Sequence, residues 1–330
     1  MLEIILPHQR GVNPGSDKQC FLTGQRGFMA ESPFLSIVIT AYTAERLNDI
    51  YELLNSIKEQ TYLHKEILFV VERSKDLMEK IRSYGVEHKI PHLKVLFNNG
   101  EPGLSIARNA GFKEASGDII AFVDDDVLLY RDWAEKMVKS YTDDTVIGVT
   151  GPAFPLWEDE SMDWFPKEFY WIISCTAWDD EDYVKEVRNA CGMNMSFKRE
   201  AFEKAGMFSN EFGYHKGPMA EDNEYSLRIK EKTGKKIFYH PDVKLWHRVH
   251  KYRLSQKFIK ERSYWIGYSR RMLKQRKFNN KKDGTSVLSP EYRLLTRIFT
   301  RLCPDMIKKL FTNPIVAWRI TRVAVTALTF

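Results

Sequence analysis

The segment "NNGEPGLSIARNAGFKEASGDIIAFVDDD", Asn98 to Asp126, decides the fold. It opens as a Gly-rich loop and continues as a helical pattern, "GLSIARNAGFKEASG", that closes at Gly117. Ile119, Ile120, Ala121, Phe122 and Val123 then read as a strand buried on both faces, as in a parallel sheet. The strand runs into three successive carboxylates, Asp124, Asp125 and Asp126, at its C-terminal end, where open α/β sheets hold their ligands. Mutual repulsion makes such a triplet unfavourable unless water, a cation or a positively charged group compensates it.

Working back from that stretch, "FLSIVITAY" (Phe34 to Tyr42) and "KEILFVVE" (Lys65 to Glu72) read as two more buried strands, and "HLKVLFN" as a third. Between them lie a helix from Glu45 to Gln60, with Leu47, Ile50, Leu53, Leu54 and Ile57 at helical spacing, and a helix "DLMEKIRSYGV" expected to end near Gly85. Strand, helix, strand, helix at short spacing predicts parallel βαβ units with right-handed crossovers. The fold class is therefore α/β, Rossmann-like, with a mostly parallel sheet flanked by helices. Beyond residue 150 aromatics crowd Phe154 to Trp178, and a basic helix follows near Tyr264 to Arg276. Residues 1–33 lack periodicity and read as a lead-in, 34–250 as the α/β core, and 251–330 as a basic and amphipathic helical C-terminal region.

At 43% hydrophobic and 28% charged residues, the 330-residue chain is globular rather than disordered. Its +6 charge is concentrated in the C-terminal third. The four cysteines have no metal-ligand spacing and suit reduced thiols of a cytosolic setting. The N-terminus does not read as a signal peptide. "NPIVAWRITRVAVTALTF" (Asn313 to Phe330), broken by Arg319 and Arg322, suits an interfacial helix better than a spanning one, with packing on its own domain as the alternative.

A dinucleotide site would need a Gly-rich turn after the first strand, and "ITAYTAERL" has none; a P-loop is likewise missing. The strand ends carry other residues instead. Thr40 and Tyr42 end the first, where a Tyr ring can cover a flat base. Glu72 ends the second, where a carboxylate can accept from a base N–H or a ribose hydroxyl. Gly103 precedes a helix carrying Arg108 and Asn109, suited to approaching a diphosphate. Asp124 and Asp126 can jointly hold a divalent cation. Each has a plainer alternative in core packing, solvated strand ends, a surface ion pair or a turn; their convergence at successive strand ends argues for a site.

These pieces, with "NACGMNMSFKREAFEKAGMF" and "AEDNEYSLRI", resemble glycosyltransferase family 2, with the GT-A fold, over roughly residues 34–275. The resemblance implies an inverting hexosyltransferase using a nucleoside diphosphate sugar and a divalent cation, Mn2+ or Mg2+. It divides the core into a nucleotide-sugar half (34–126) and an acceptor half (127–250). By position, Asp124 and Asp126 form the Asp-x-Asp motif, with Asp126 the direct metal ligand and Asp125 in the donor-binding set. Asp222 of the Glu221-Asp222 pair would be the catalytic base, against the plainer reading of an acidic helix N-terminus. His247 falls where a late metal-binding histidine is expected, with His250 competing. Many members carry Asp-Asp or Asp-Asn where this chain has Val71-Glu72.

Val243 to Leu273, with "FYWI" before "CT" (Phe169 to Thr176) and "YWIGYS" (Tyr264 to Ser269), is similar to a narrower group, the archaeal glucosyl-dolichyl-phosphate glucuronosyltransferases. That implies UDP-glucuronate as the UDP-sugar donor and a lipid-phosphate-linked sugar acceptor at the cytoplasmic face of the cell membrane, in protein N-glycosylation. The basic residues Arg262, Arg270, Arg271, Lys274, Arg276 and Lys277 suit an anionic membrane surface. Arg188, Lys198 and Arg248 are the candidate partners for a glucuronate carboxylate. A transferase building a cell-surface polysaccharide and a silent GT-A scaffold remain the alternatives. A nucleic-acid partner is disfavoured, since acidic strand ends repel phosphates.

Overall fold

The computed structural model describes residues 32–176, 182–213, 219–276 and 294–329. The lead-in up to residue 31, Cys20, Trp178, Lys277 and Phe330 lie outside the described residues. Residues Pro33–Phe330 form one compact unit.

An eight-stranded sheet runs through it. Strands β1 (Leu35–Ala41), β2 (Lys65–Glu72), β3 (Leu93–Asn98) and β4 (Ile119–Asp124) are all parallel, in the order β3-β2-β1-β4. Each is joined to the next by a helix: α1 (Leu47–Lys58), α2 (Lys75–Glu87) and α3 (Leu104–Glu114). Alternate side chains of these strands go to opposite cores. Leu35, Ile37 and Ile39 meet Ile50, Leu53 and Leu54 of α1 and Leu77 and Ile81 of α2. Val38, Ile120 and Phe122 meet Phe112 of α3 and aromatic residues from later in the chain on the other face.

Two local expectations change. Helix α2 does not stop at Gly85 but runs to Glu87. That glycine is there for packing, since a Cβ would come within 2.5 Å of Leu93 Cδ2 on β3. Gly117 likewise lies beyond the end of α3, where a Cβ would meet the Ser36 backbone nitrogen at 2.6 Å.

Beyond β4 the sheet is mixed. The strand β9 (Asn194–Lys198) inserts antiparallel between β4 and β6 (Val146–Thr150), with β10 (Lys236–Tyr239) parallel to β6 and the short β8 (Lys185–Val187) antiparallel at the edge. Helices α5 (Arg199–Ala205) and α6 (Glu221–Thr233) cover this half. The chain after the aspartates turns into β5 (Val127–Leu129), part of a second, three-stranded sheet with β11 (Leu245–Val249) and β7 (Ala153–Trp157). Helix α4 (Trp133–Lys139) comes after β5, and its Trp133 Nε1 donates to buried Asn194 Oδ1 at 2.9 Å. That bond ties the aspartate hairpin to β9.

Helices α7 (Gln256–Gln275), α8 (Cys303–Thr312) and α9 (Pro314–Thr329) close the described chain. Helix α9 buries Ala317, and places Ile320, Val323 and Ala327 in a third core with Phe165, Phe169 and Ile173. Its outer side exposes Ile315, Trp318, Val325 and Leu328. No helix among the described residues is long and apolar enough to cross a membrane.

Candidate active site

The sheet brings the strand-end residues together by register. Thr40 pairs directly with Asp124 and, on its other side, with Val70, two positions before Glu72. The second sheet supplies the histidine, because His247 of β11 pairs with Val127, the residue after the triplet, and Arg248 N donates to Asp126 O at 2.9 Å. As a result, ligand atoms of Asp124, Asp126 and His247 all lie within 4.8 Å of one another. His250 is elsewhere, its Nε2 2.9 Å from Asp49 Oδ2.

The three aspartates differ sharply in environment. Asp124 keeps 31% of its side chain exposed, and its Oδ1 accepts from Arg108 Nη2 at 3.2 Å. Asp125 is buried, with Oδ1 held by Arg46 Nη1 at 2.8 Å and Oδ2 left without a hydrogen bond. Burial and the adjacent Asp126 charge push its carboxyl up, against the pull of Arg46. Asp126 is 1% exposed. Burial alone would raise it, but His247, Arg253 and Arg46 hold it well below the usual carboxylate range. Its Oδ2 is gripped by Arg253 at 2.6 Å and Arg46 at 3.0 Å. Its Oδ1 is 3.3 Å from His247 Nε2 but makes no aligned hydrogen bond, and His247 Nδ1 is also unsatisfied.

Those orphaned buried atoms test whether a cation fits. Unsatisfied polar atoms in a protein interior are costly and call for a partner. A carboxylate oxygen, a second and more exposed carboxylate, and an imidazole form a mixed O/N donor set that a divalent cation such as Mn2+ can accept. The residues present fit a divalent cation.

On the far side of Arg108 lies the acidic end of α6. Arg108 is 2% exposed; its Nη1 donates to Glu221 Oε1 at 2.8 Å and its Nη2 to Gly192 O at 3.0 Å. Burial, then the neighbouring Asp222 charge, raises the Glu221 carboxyl despite Arg108. Asp222 Oδ2 accepts from Gly192 N at 2.9 Å, and its Oδ1 accepts from Asn223 N at 2.7 Å. Gly192 thus serves both groups through its backbone, and a Cβ there would sit 3.1 Å from Arg108 Nη2 and 3.4 Å from Asp222 Oδ2.

The remaining candidates are spread over strand ends, α3 and more distant parts of the fold. Tyr42 is half exposed; partial burial raises its hydroxyl, Arg46 opposes this, and the nearby Asp125 and Asp126 add to it. Glu72 Oε1 accepts from Gly103 N at 2.9 Å and Asn98 Nδ2 at 3.3 Å, and Oε2 has no hydrogen bond among the described residues. Gly103, at φ 153°, holds a backbone conformation that favours glycine and caps α3. Asn109 uses its amide on Phe208, with Nδ2 donating to Phe208 O and Oδ1 accepting from Phe208 N, both at 2.9 Å. Lys198 lies at the opposite end of the sheet, paired with Ile119 and bonded to Asp143 O. Arg248 pairs with Asp49 and Glu52, while Arg188 donates to Asn223 Oδ1 at 2.9 Å, beside Asp222.

Sequence reasoning missed Arg46, Arg253, Glu221's bond to Arg108 and the part played by Gly192. Only Gly192 carried a signal, as the glycine inside "NACGMNM".

The family model described as "Glycosyl transferase family 2" matches residues 36–206. The chain belongs to glycosyltransferase family 2. Among its relatives, the glucosyl-dolichyl phosphate glucuronosyltransferase of Haloferax volcanii is 30% identical over 72% of this chain and 77% of its own length. The inactive polypeptide N-acetylgalactosaminyltransferase-like protein 5 of Macaca fascicularis is 26% identical over 72% of this chain, which spans 56% of that relative. A mannosyltransferase from Pyrobaculum calidifontis, solved in complex with GDP-Man and Mn2+, superposes with a TM-score of 0.59 at 19% identity, over 90% of this chain and 87% of that one. The fold is GT-A and the protein is a nucleotide-sugar-dependent glycosyltransferase.

Proposed function

We propose that this transferase moves glucuronate from UDP-glucuronate to a lipid-phosphate-linked sugar at the inner membrane face, as a step in building a protein N-glycan. The observation that carries the site assignment is Arg108, which bonds Asp124 on the cation side and Glu221 beside Asp222. It makes the candidate cation cluster and the candidate base parts of one centre. The choice of donor and acceptor leans on the Haloferax relative, whose name states both chemistries and which aligns over most of its length.

In this reading Asp124, Asp126 and His247 hold a divalent cation, which supplies charge neutralisation at the leaving diphosphate. Tyr42, Thr40 and Glu72 line the nucleoside end, with the free Oε2 of Glu72 available to a base N–H or ribose hydroxyl. Arg108 and Asp125, held by Arg46, shape the diphosphate end. Gly103 and Asn109 act by fixing α3. Asp222 takes the proton of the acceptor hydroxyl as that oxygen bonds to C1 of the sugar; the bond from C1 to the phosphate oxygen breaks, and its electron pair leaves with UDP. The carboxylate is held by N–H donors from Gly192 and Asn223, which fix its orientation.

The C-terminal helices meet a membrane in the same reading. Phe299, Ile307, Leu310, Phe311, Ile315 and Trp318 are exposed, with Lys308, Lys309 and Arg322 among them, and Arg322 stacks over Trp318 at 4.5 Å. An apolar surface edged by cations suits an anionic lipid interface.

The test is turnover in detergent with a short lipid-phosphate-linked glucose, offering UDP-glucuronate and UDP-glucose in turn. A glucuronosylated lipid product formed only from the first supports the proposal. Transfer from UDP-glucose alone, or only to a lipid-free glycan, contradicts it.

A further inference from the structure

Three arginines of the centre are each neutralised by a carboxylate of the protein: Arg46 by Asp125 and Asp126, Arg108 by Asp124 and Glu221, Arg253 by Asp126. Arg262 is not. It projects from α7 between the turn at Ser174 and the approach to α6. Its Nη2 donates to Ser174 Oγ at 3.0 Å, and its Nη1 lies against Met219 Sδ. Both partners are neutral, and a thioether sulfur is a weak acceptor. Its Nε is shut off from solvent with no hydrogen bond. Among the described residues no carboxylate stands at ion-pair distance. Burial and the like charge of Arg253 disfavour the cation, and Glu221, Asp124 and Asp222 only partly offset this across space.

A guanidinium stays charged in a protein, so one that is only partly exposed and meets no carboxylate among the described residues leaves donors open to an anion. Its two contacts lead to both sides of the centre: Ser174 follows Ile173, whose carbonyl accepts from the same Arg253 that holds Asp126, and Met219 stands two residues before Glu221. Its planar fork matches a phosphate or carboxylate with two parallel N–H···O bonds.

We propose that Arg262 is the receptor for an anionic oxygen group of the substrate, a phosphate or a carboxylate, held between the turn at Ser174 and the start of α6. This rests on the transferase reading above. Such a group has three possible sources there: the donor diphosphate, the carboxylate of a uronate donor sugar, and the phosphate of a lipid-linked acceptor. Lys198, at the far end of the sheet, and Arg248, paired with Asp49 and Glu52, do not fill this role from their positions.

The experiment measures calorimetric affinities of the full chain with Mn2+ for UDP, UDP-glucose and UDP-glucuronate, and the KM for a short lipid-phosphate-linked glucose. It compares wild type with Arg262→Gln and Arg262→Lys. A charge-assisted hydrogen bond removed by Arg262→Gln weakens one of these by about tenfold or more, and Arg262→Lys recovers part of it. Loss for all three nucleotides assigns the diphosphate, and loss for UDP-glucuronate alone assigns the sugar carboxylate. A raised acceptor KM with donor affinities intact assigns the lipid phosphate. A folded Arg262→Gln variant with every value unchanged overturns the proposal. If that variant does not fold, unchanged values in Arg262→Lys, which keeps the charge but loses the fork, overturn it instead. A wild type that binds none of the nucleotides defeats the transferase reading itself, and the proposal with it.

Discussion

Glu66 offers a direct measure of how strongly this fold depends on one buried carboxylate. It lies in β2, 4% exposed, at the end of the sheet away from the candidate site. Its Oε1 accepts from Ser36 Oγ on β1 at 2.8 Å, and from Ser116 N at 2.7 Å and Ser116 Oγ at 2.6 Å in the loop after α3. Its Oε2 accepts from Lys94 Nζ on β3 at 3.1 Å. Burial raises the carboxyl, but the bonds from Ser116, Ser36 and Lys94 outweigh it and bring it down to about 2 from an ordinary 4.5. That shift is worth about 3 kcal/mol of stability to the ionised form. Because the folded value is the lower one, the contribution is complete above the unfolded value and is lost as pH falls toward the folded one. About 2 kcal/mol of it is gone by pH ~3. Urea unfolding of wild type and Glu66→Gln in pH steps from about 6 to about 3 isolates the effect, since other carboxylates titrate in both proteins. The stability advantage of wild type shrinks by about 2 kcal/mol across that range. Two parallel pH profiles would refute the reasoning. Turnover near neutral pH stays the same, because Glu66 touches nothing at the site.

Other outcomes rest on the same geometry. Asp222→Asn lowers kcat by about a hundredfold or more, as loss of a general base does, while calorimetry finds UDP and Mn2+ binding retained. Gly111→Ala destabilises the fold by about 1–3 kcal/mol in urea unfolding, although alanine favours helices, because its Cβ would come within 2.4 Å of Val38 Cγ1 on β1. Phe311→Ser combined with Trp318→Ser weakens co-sedimentation with anionic phospholipid vesicles by about tenfold or more, given the apolar area each side chain exposes; undiminished binding would take the membrane contact away from these helices.

The parallel half of the sheet was legible because its strands are buried on both faces and its helices on one, and burial of that kind writes periodicity into the chain. Lys65 to Glu72 is a strand with the bounds read from sequence. The stretch from Ile119 to Tyr130 was harder. Its strand is read as ending at the aspartates, but nothing local shows that the chain re-enters a strand at β5, in a different sheet. Nothing local announces that β9 comes back antiparallel beside β4, since this pairing is settled by contacts far along the chain. The same holds for the charges around the triplet. Arg46 reaches Asp125 across 79 positions and Arg253 reaches Asp126 across 127, and neither lies in a patterned motif. Asp124, Asp126 and His247 were readable as residue types suited to a cation. Only the pairing of β11 with β5 shows why the histidine reaches the cluster rather than His250.

The central claim is that Asp124, Asp126 and His247 hold a cation at which a nucleotide sugar binds. Calorimetric titration of the full chain with UDP, in Mn2+ and in EDTA, tests it most directly on wild type and Asp126→Asn. Asparagine keeps an oxygen for buried Arg253, and the partly exposed Arg46 keeps Asp125, so neither guanidinium is left wholly bare. Wild type binds UDP in Mn2+, EDTA abolishes that binding, and the folded variant lacks it. Equal UDP binding in Mn2+ and EDTA, or in both proteins, would contradict it.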